Sequence, residues 1–464
     1  MFRFLTFVSA AFILSGCVMG PSYEQPVAVT GSKWKEGSAT SNSALPDEWW
    51  RLFRDSALNA HIAQALAANQ DIAAAKARVE TARALVGAAR SGWWPQVNAG
   101  ATLAKSRTAA GNLQTPPGYV PDLTTSPLRA SIDLSYEPDL WGRIRREEEA
   151  ARASLDASAD RLAAQRLTLA AEVARTYFLW RSLGAQSSIL EETMKWRSEA
   201  LEMQASREAA GVIAAADTAR ARTELELARA DLESVKRQRG SAANALAELC
   251  GQPPSQFKPA AGGPLRVPEI QPGIPSTLLR RRPDIRAAEH DLIAANARIG
   301  VAQAEMLPSF KLLGLGGLQT LDASTFLNWE NRFLSIGPSI TAPVFTGGRL
   351  SANVKAGISR RDEAAALWRK SIITALREVE DALLDLKGLA SQDAALAAAE
   401  SAAADADRLA RDRYTAKLAT YFEVVDANRT LLGIRLTRAQ IAGQRSAAAA
   451  NLARALGGGW GGGK

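Results

Sequence analysis

Residues 71–95 read DIAAAKARVETARALVGAARSGWWP and residues 284–308 read DIRAAEHDLIAANARIGVAQAEMLP, so the chain carries one segment twice. The copies begin 213 residues apart (284 minus 71), and each runs from an Asp to a Pro. Their apolar positions coincide, as in the pairs Ile72 with Ile285, Val79 with Leu292 and Val86 with Ile299. An internal duplication therefore governs the fold.

Two later pairs of similar segments extend the duplication along the chain. Residues 140–143 (LWGR) correspond to residues 344–349 (VFTGGR) with two residues inserted, and residues 207–211 (REAAG) correspond to residues 413–417 (RYTAK). Each half predicts one order of elements: a helix, a strand, a loop, a strand, a very long helix, a tight turn and a returning helix.

The strands are predicted from apolar and polar residues that alternate with a period of two. The clearest example is the stretch LRASIDLSYE at residues 128–137. Each predicted strand has about ten residues, which is the length that crosses a bilayer when a strand is tilted. The four predicted strands are residues 97–107, 128–137, 310–320 and 334–341.

Alternation alone is also typical of a half-buried sheet in a soluble domain, but aromatic residues near the strand ends favour a membrane. They lie at the helix-proximal ends of the hairpins, where an aromatic belt meets the membrane interface. Four strands cannot close a barrel, and open sheet edges are not tolerated in lipid, so several copies of the chain must share one barrel. The predicted interface aromatics are Trp93, Trp94, Trp141 and Phe345.

Two very long helices follow the strand hairpins. Residues 145–210 and 350–416 contain no proline, so each helix can extend about 65 residues, or roughly 100 Å. Apolar residues recur three and four apart in both, which is the pattern of coiled-coil packing. Returning helices are predicted at residues 215–249 and 421–456. The pattern leaves open whether these helices form a solid bundle or the wall of a tunnel.

The N-terminus is predicted to be a targeting segment. Arg3 is followed by an apolar run and by Leu-Ser-Gly-Cys at residues 14–17, which matches the box at which bacterial lipoproteins are cut and lipidated. Cys17 would then carry the acyl chains, palmitate among them. The alternative is an ordinary secretory signal with a chance cysteine. Val18 after the cysteine favours sorting to the outer membrane.

Composition argues against several other classes of protein. The formal charge is +8, but the basic residues are dispersed among acidic ones, so nucleic acid is not predicted as a partner. Apart from Cys17 there is only Cys250, so no intrachain disulfide framework exists. His61 and His290 are the only histidines, and no phosphate-binding glycine motif occurs. We therefore predict no enzyme activity, no cofactor and no metal site.

In their order along the chain, these features and a set of short motifs resemble the outer membrane factor, or TolC-like, family, in its lipoprotein branch. The resemblance covers essentially the whole mature chain. Apart from Cys17 and the segments quoted above, the motifs are residues 47–50 (DEWW), 281–285 (RRPDI), 343–349 (PVFTGGR) and 455–460 (ALGGGW).

The resemblance implies an α+β membrane protein that forms a homotrimer. Three chains of four strands each would close a 12-stranded β-barrel in the outer membrane, continued by a long periplasmic α-helical barrel with a mixed equatorial region. The implied divisions are a signal peptide (1–16), an N-terminal anchor and equatorial segment (17–70), a first repeat (71–250), an equatorial linker (251–282), a second repeat (283–456) and a Gly-rich tail (457–464).

The resemblance also implies a function and partners. Members of the family are the outer-membrane exit ducts of tripartite efflux pumps, in multidrug resistance for example, and they extend into the periplasm. They conduct passively what a periplasmic adaptor protein and an inner-membrane transporter, here expected to be of the RND type, deliver to them. The alternative is a lipid-anchored coiled-coil tether without a pore, which would leave the four alternating strands unexplained.

Family positions carried over residue by residue imply a gate and a docking site at the helix turns. Rings of Glu423 and Asp426 about the trimer axis would favour cations, although both acids could instead complement a helix N-terminus. The basic residue that some members use at the position of Ala419 is absent. The implied gate residues are Tyr414, Phe422, Glu423, Asp426 and Arg429. The implied adaptor-contacting residues are Gly211, Asp217, Lys417 and Leu418.

Overall fold

The computed structural model describes residues 18–28, 31, 33–36, 45–107 and 124–459. The predicted signal peptide, Cys17 and Trp460 of the last motif lie outside these residues, as do residues 108–123 of the first strand-to-strand loop.

Helices account for most of the described chain, and the duplication is visible in their lengths. The two long helices have 67 residues each and the two returning helices have 35 each. All four agree with their predicted bounds to within two residues. The helices are α1 (Ser56–Ala68), α2 (Gln70–Ser91), α3 (Arg143–Ala209), α4 (Ala215–Leu249), α5 (Leu278–Arg281), α6 (Pro283–Ala304), α7 (Arg349–Thr415) and α8 (Tyr421–Ala455).

The strands are β1 (Gln96–Leu103), β2 (Ser106–Arg107), β3 (Thr124–Thr125), β4 (Leu128–Tyr136), β5 (Ser309–Thr320) and β6 (Arg332–Thr341). The four predicted strands form one antiparallel sheet, in the order β1-β4-β5-β6, and a short pair β2-β3 extends the first hairpin. The sequence predicts a first strand that continues to Arg107, but the observed strand β1 ends at Leu103, and extended structure resumes as β2 only after Lys105.

The register of the sheet separates an apolar face from a polar face. Ile132 is paired with Ala99 on one side and with Gly316 on the other, so these residues share a face, and Asp133 beside them is paired with Asn98 on the opposite face. The Asn98 amide donates a hydrogen bond of 3.0 Å to the Asp133 carboxylate. The apolar face includes Val97, Leu103, Leu128, Leu134, Leu312, Leu318, Leu334, Ile336 and Ile340.

Local sequence explains where the helices begin. Helix α1 starts after Asp55, whose carboxylate accepts hydrogen bonds from the backbone N–H groups of Ala57 and Leu58, both at 3.0 Å. Helix α8 starts with a capping box, in which the Glu423 carboxylate accepts the Thr420 N–H at 3.1 Å.

The contacts divide the chain into two compact units. The described residues of the first unit fall within Met1–Pro26, Glu80–Ala157 and Glu289–Ala366, and they include the whole sheet. Those of the second unit fall within Val27–Val79, Ser158–Ala288 and Leu367–Lys464, and they include both helix-to-helix turns.

The N-terminal segment of the first unit is held at Met19 and Gly20 by contacts to its backbone. Met19 N–H donates to the carbonyl of Trp141 at 3.0 Å, and the Arg146 guanidinium returns a bond of 3.0 Å to the carbonyl of Met19. Gly20 adopts φ +94°, and a Cβ on it would lie 2.5 Å from Gly300 Cα, so the segment approaches α6 as closely as only glycine permits.

The second unit holds the hydrophobic core. One cluster joins the DEWW motif to α1, α3, α4 and α8, with Trp49 and Tyr177 fully buried. A second cluster surrounds Trp34 and Trp368. Cys250 is buried in the first cluster at the end of α4, and burial raises the pKa of its thiol to about 11.

The RRPD motif is a buried polar anchor of the same unit. The Arg282 guanidinium donates to Asp284, to Glu378 of α7 at 2.7 Å and to the carbonyl of Ala455 at 3.0 Å. It therefore links the start of α6 to α7 and α8, which together form the second helical hairpin; α3 and α4 form the first.

None of the helices within the described ranges combines the length and the apolar character that crossing a membrane requires.

Candidate functional site

The two helix turns of the second unit have the same backbone structure. Gly211 and Lys417 both adopt the left-handed conformation, with φ of 72° and 62°. Directly after them, Val212 N–H donates to the carbonyl of Arg207 at 2.9 Å and Leu418 N–H donates to the carbonyl of Arg413 at 2.8 Å. Both long helices thus end in a Schellman turn, which reverses the chain into the returning helix.

Tyr414 joins the second hairpin to α3 just above these turns. Its hydroxyl accepts hydrogen bonds from Gln204 Nε2 and from Arg207 Nη1, each at 2.6 Å. The Arg207 guanidinium also lies 5.1 Å from the centre of the Tyr414 ring. Tyr421 packs against the same ring, with 5.9 Å between the ring centres. Burial raises the pKa of Tyr421.

Glu224 of α4 is a buried carboxylate shared by two arginines. Its side chain is 5% exposed and forms an ion pair of 3.3 Å with Arg197 of α3, which is 6% exposed. Arg429 of α8 donates a bidentate pair of hydrogen bonds to the same carboxylate, one of them 3.0 Å from Nε. Three helices from both hairpins therefore meet at one carboxylate.

The electrostatics of the two arginines differ. Burial lowers the pKa of Arg197, with a smaller opposing effect from Glu224. Hydrogen bonding to Glu224 raises the pKa of Arg429, whose side chain is 53% exposed. The Arg197–Glu224 pair is consequently the buried part of the cluster, and Arg429 is its solvent-facing part.

The other predicted gate residues of the second hairpin lie on the exposed side of α8. Phe422 is 59% exposed, and Glu423 and Asp426 are also exposed. Glu423 completes the capping box, which is a structural role at the start of α8. Asp426 contributes to the raised pKa of Arg429. The structure brings Tyr414 and Arg429 into interhelical contacts, whereas Phe422, Glu423 and Asp426 are exposed side chains of α8.

Sequence reasoning missed Glu224, Arg197, Gln204 and Arg207. The sequence contained a signal for Glu224, because this residue lies at the helical spacing of Thr218, Ala221 and Ala228, which form the buried face of α4. A charged residue at such a core position requires a partner, since an isolated buried charge is very costly. Identifying that partner required the packing of α3 and α8 beside it.

The predicted adaptor-contacting residues surround the turns. Leu418 is 70% exposed, and Gly211 and Lys417 are exposed. Asp217 lies in the first turn of α4 and pairs with Arg220 at 3.5 Å. The turns therefore present two large apolar side chains, Leu418 and the equally exposed Val212, together with charged groups.

The predicted interface aromatics lie at the ends of the strands nearest the helices, but they are held differently. Trp93 Nε1 donates to Glu148 at 2.9 Å, and Trp141 Nε1 donates to the carbonyl of Pro308 at 2.7 Å. Hydrogen bonds from Arg90 and Trp93 lower the pKa of Glu148 to about 2. Trp94 and Phe345 are largely exposed.

No group of three or more metal-binding side chains is present in the part of the chain that the structure describes.

Comparison with known proteins assigns the family. The model of the family described as "Outer membrane efflux protein" matches residues 61–252 and 274–458. The outer membrane protein OprJ of Pseudomonas aeruginosa is 33% identical over 460 residues, which cover 97% of this chain and 94% of that protein.

Solved structures of similar proteins support the same family assignment. The CmeC outer membrane channel of Campylobacter jejuni has a TM-score of 0.90 at 26% identity, covering 96% of this chain and 95% of that one. The MtrE outer membrane channel of Neisseria gonorrhoeae, solved in an open state, has a TM-score of 0.85 at 30% identity, covering 96% and 99%. The predicted fold class, outer-membrane location and role in efflux are confirmed, and the matched family is one of efflux proteins rather than enzymes. This chain belongs to the outer membrane efflux protein family.

Proposed function

We propose that this protein is the exit duct of a tripartite efflux pump and that its conduction is controlled at the helix turns. The observation that carries the proposal is the match of the family model to both halves of the duplicated chain. Both halves supply a strand hairpin and a long helical hairpin, which are the two parts that a duct across the outer membrane and periplasm needs.

The duct is a homotrimer. The four-stranded sheet has two unpaired edges, β1 and β6, and open edges are not tolerated in lipid. Three copies close these edges by pairing β6 of one copy with β1 of the next, which gives a barrel of twelve strands. This number exceeds the eight or so strands of the smallest barrels and leaves room for a channel.

The gate is built on the contacts that join the second hairpin to the first. Opening a constriction at the turns requires α7 and α8 to move relative to α3 and α4. Such a movement breaks the bonds of Tyr414 to Gln204 and Arg207 and the bonds of Arg429 to Glu224. We assign these contacts to the closed state, with Glu423 and Asp426 as acidic rings and Phe422 beside them at the constriction.

The partners are a periplasmic adaptor protein and an inner-membrane transporter of the RND type. The exposed turn residues Gly211, Asp217, Lys417 and Leu418 are the docking site for the adaptor. Cys17 carries the lipid that anchors the mature chain in the outer membrane.

Two measurements test the duct. The purified protein should form channels in a planar lipid bilayer, and its expression should restore antibiotic resistance to a strain that lacks its own outer-membrane efflux protein but retains adaptor and transporter. A lipid-anchored tether with no pore is the alternative function, and it predicts a bilayer without conductance. Resistance that is restored by a protein without conductance would contradict the duct.

A further inference from the structure

The apolar face of the sheet ends in positive charge at the tips of the strands farthest from the helices. Arg332 is the first residue of β6 and is paired with Leu318 of that face. Lys105 and Arg107 lie beyond the end of β1. All three side chains are exposed.

The register of the first hairpin places Lys105 and Arg107 on the same face. Leu103 pairs with Leu128 and Arg107 pairs with Thr124, so the register is unchanged across the break between β1 and β2. Ala104 N–H bridges the break with a bond of 3.1 Å to the carbonyl of Pro127. Because side chains alternate along an extended chain, positions 103, 105 and 107 share a face.

These cations differ from those at the opposite end of the sheet. Near the helices, Arg143 is paired with Glu137 at 3.0 Å and Arg145 with Asp139 at 3.0 Å. Lys105, Arg107 and Arg332 have no carboxylate within ion-pair distance among residues 18–28, 31, 33–36, 45–107 and 124–459. Within the described residues, these three cations therefore lack the ion pairs that Arg143 and Arg145 form at the other end of the sheet.

Trp329 adds an aromatic side chain at the same level. Its ring is 72% exposed, and the Arg332 guanidinium lies 3.1 Å from the ring centre. Tryptophan is enriched where a protein meets lipid headgroups, and arginine on the lipid-facing surface is tolerated there but not at the bilayer midplane. The pair marks the level of the headgroups.

We propose that Lys105, Arg107 and Arg332 bind the phosphate groups of anionic lipid in the outer leaflet of the outer membrane. The apolar face below them contacts the acyl chains, and charge complementarity identifies phosphate as the group they bind. Arginine and lysine both form charge-assisted hydrogen bonds to phosphate oxygens. This proposal rests on the location of the protein in the outer membrane.

In the proposed trimer, each site contains residues from two neighbouring copies of the chain. Lys105 and Arg107 extend one edge strand of the sheet and Arg332 begins the other. Closing the barrel makes these edges neighbours, so each of three sites combines Lys105 and Arg107 of one copy with Arg332 of the next.

The test compares lipid binding by the full-length protein and by a variant with Lys105→Gln, Arg107→Gln and Arg332→Gln. Native mass spectrometry in detergent would measure retention of lipid A that carries two phosphates, of lipid A that carries one, and of inorganic phosphate. We expect the variant to bind the first lipid about a hundredfold more weakly, at roughly fivefold per cation. The wild-type protein should prefer two phosphates to one and bind inorganic phosphate weakly.

Arg129→Gln is the matched control, because Arg129 lies at the same end of the sheet on the opposite face, over the Phe333 ring. Equal losses in Arg129→Gln and Arg332→Gln would overturn the proposal, as would unchanged lipid A binding by the triple variant or equal affinity for inorganic phosphate. The single variants provide the test if the triple variant does not assemble. Bilayer conductance, measured in parallel, reports on the duct separately.

Discussion

At the scale of single residues, one buried carboxylate connects the two hairpins. Glu224 balances Arg197 in the interior and Arg429 at the surface. Removing a partner from a buried pair costs about 3–5 kcal/mol, whereas an exposed pair contributes about 1 kcal/mol or less. The two arginines therefore give different predictions.

We predict that Arg429→Ala raises the resting conductance of the channel several-fold while lowering the free energy of unfolding by about 1 kcal/mol or less. The substitution releases α8 from α4 but leaves the buried Arg197–Glu224 pair intact. Single-channel recording and thermal unfolding of the trimer measure the two effects.

Arg229→Ala is the control for that variant. Arg229 is similarly exposed, but its partner Glu226 lies on the same helix, so its loss releases no contact between hairpins. If Arg429→Ala conducts like the control, the Arg429–Glu224 contact does not hold the gate closed.

At the scale of elements, the turn between α3 and α4 depends on the backbone conformation of one glycine. A Cβ on Gly211 would meet no atom within 4 Å, so substitution there changes only the backbone energy. We expect Gly211→Ala to destabilise the turn by about 1 kcal/mol, because alanine is strained at positive φ. Hydrogen exchange at the turn amides measures this local effect.

Gly240→Ala should have the opposite sign. Gly240 lies inside α4, also with open space at its Cβ position, and alanine is favoured over glycine in a helix interior by about 1 kcal/mol. Unchanged hydrogen exchange in Gly211→Ala would contradict the role of positive φ at the turn. Faster exchange in Gly240→Ala would contradict the expected preference for alanine in the helix interior.

At the scale of the whole molecule, one measurement gives both the number of chains in the assembly and the lipidation of each chain. We predict that native mass spectrometry of the mature protein in detergent gives three chains, each beginning at an acylated Cys17. Three copies are expected because the sheet edges β1 and β6 require partners in lipid. A stable monomer would exclude the proposed barrel, and an unmodified N-terminus after another cleavage site would exclude lipidation.

The repeat and the helices and strands can be predicted from local sequence, because periodicity, proline positions and turn residues act locally. Helix α4 lies where the pattern predicts it, and the turn at Gly211 follows from a residue that permits positive φ. The pairing of Glu224 with Arg197 and Arg429 could not be predicted in this way, since these residues lie on three helices that come together only on folding. Partner choice among buried charges depends on packing between elements, which no local pattern encodes.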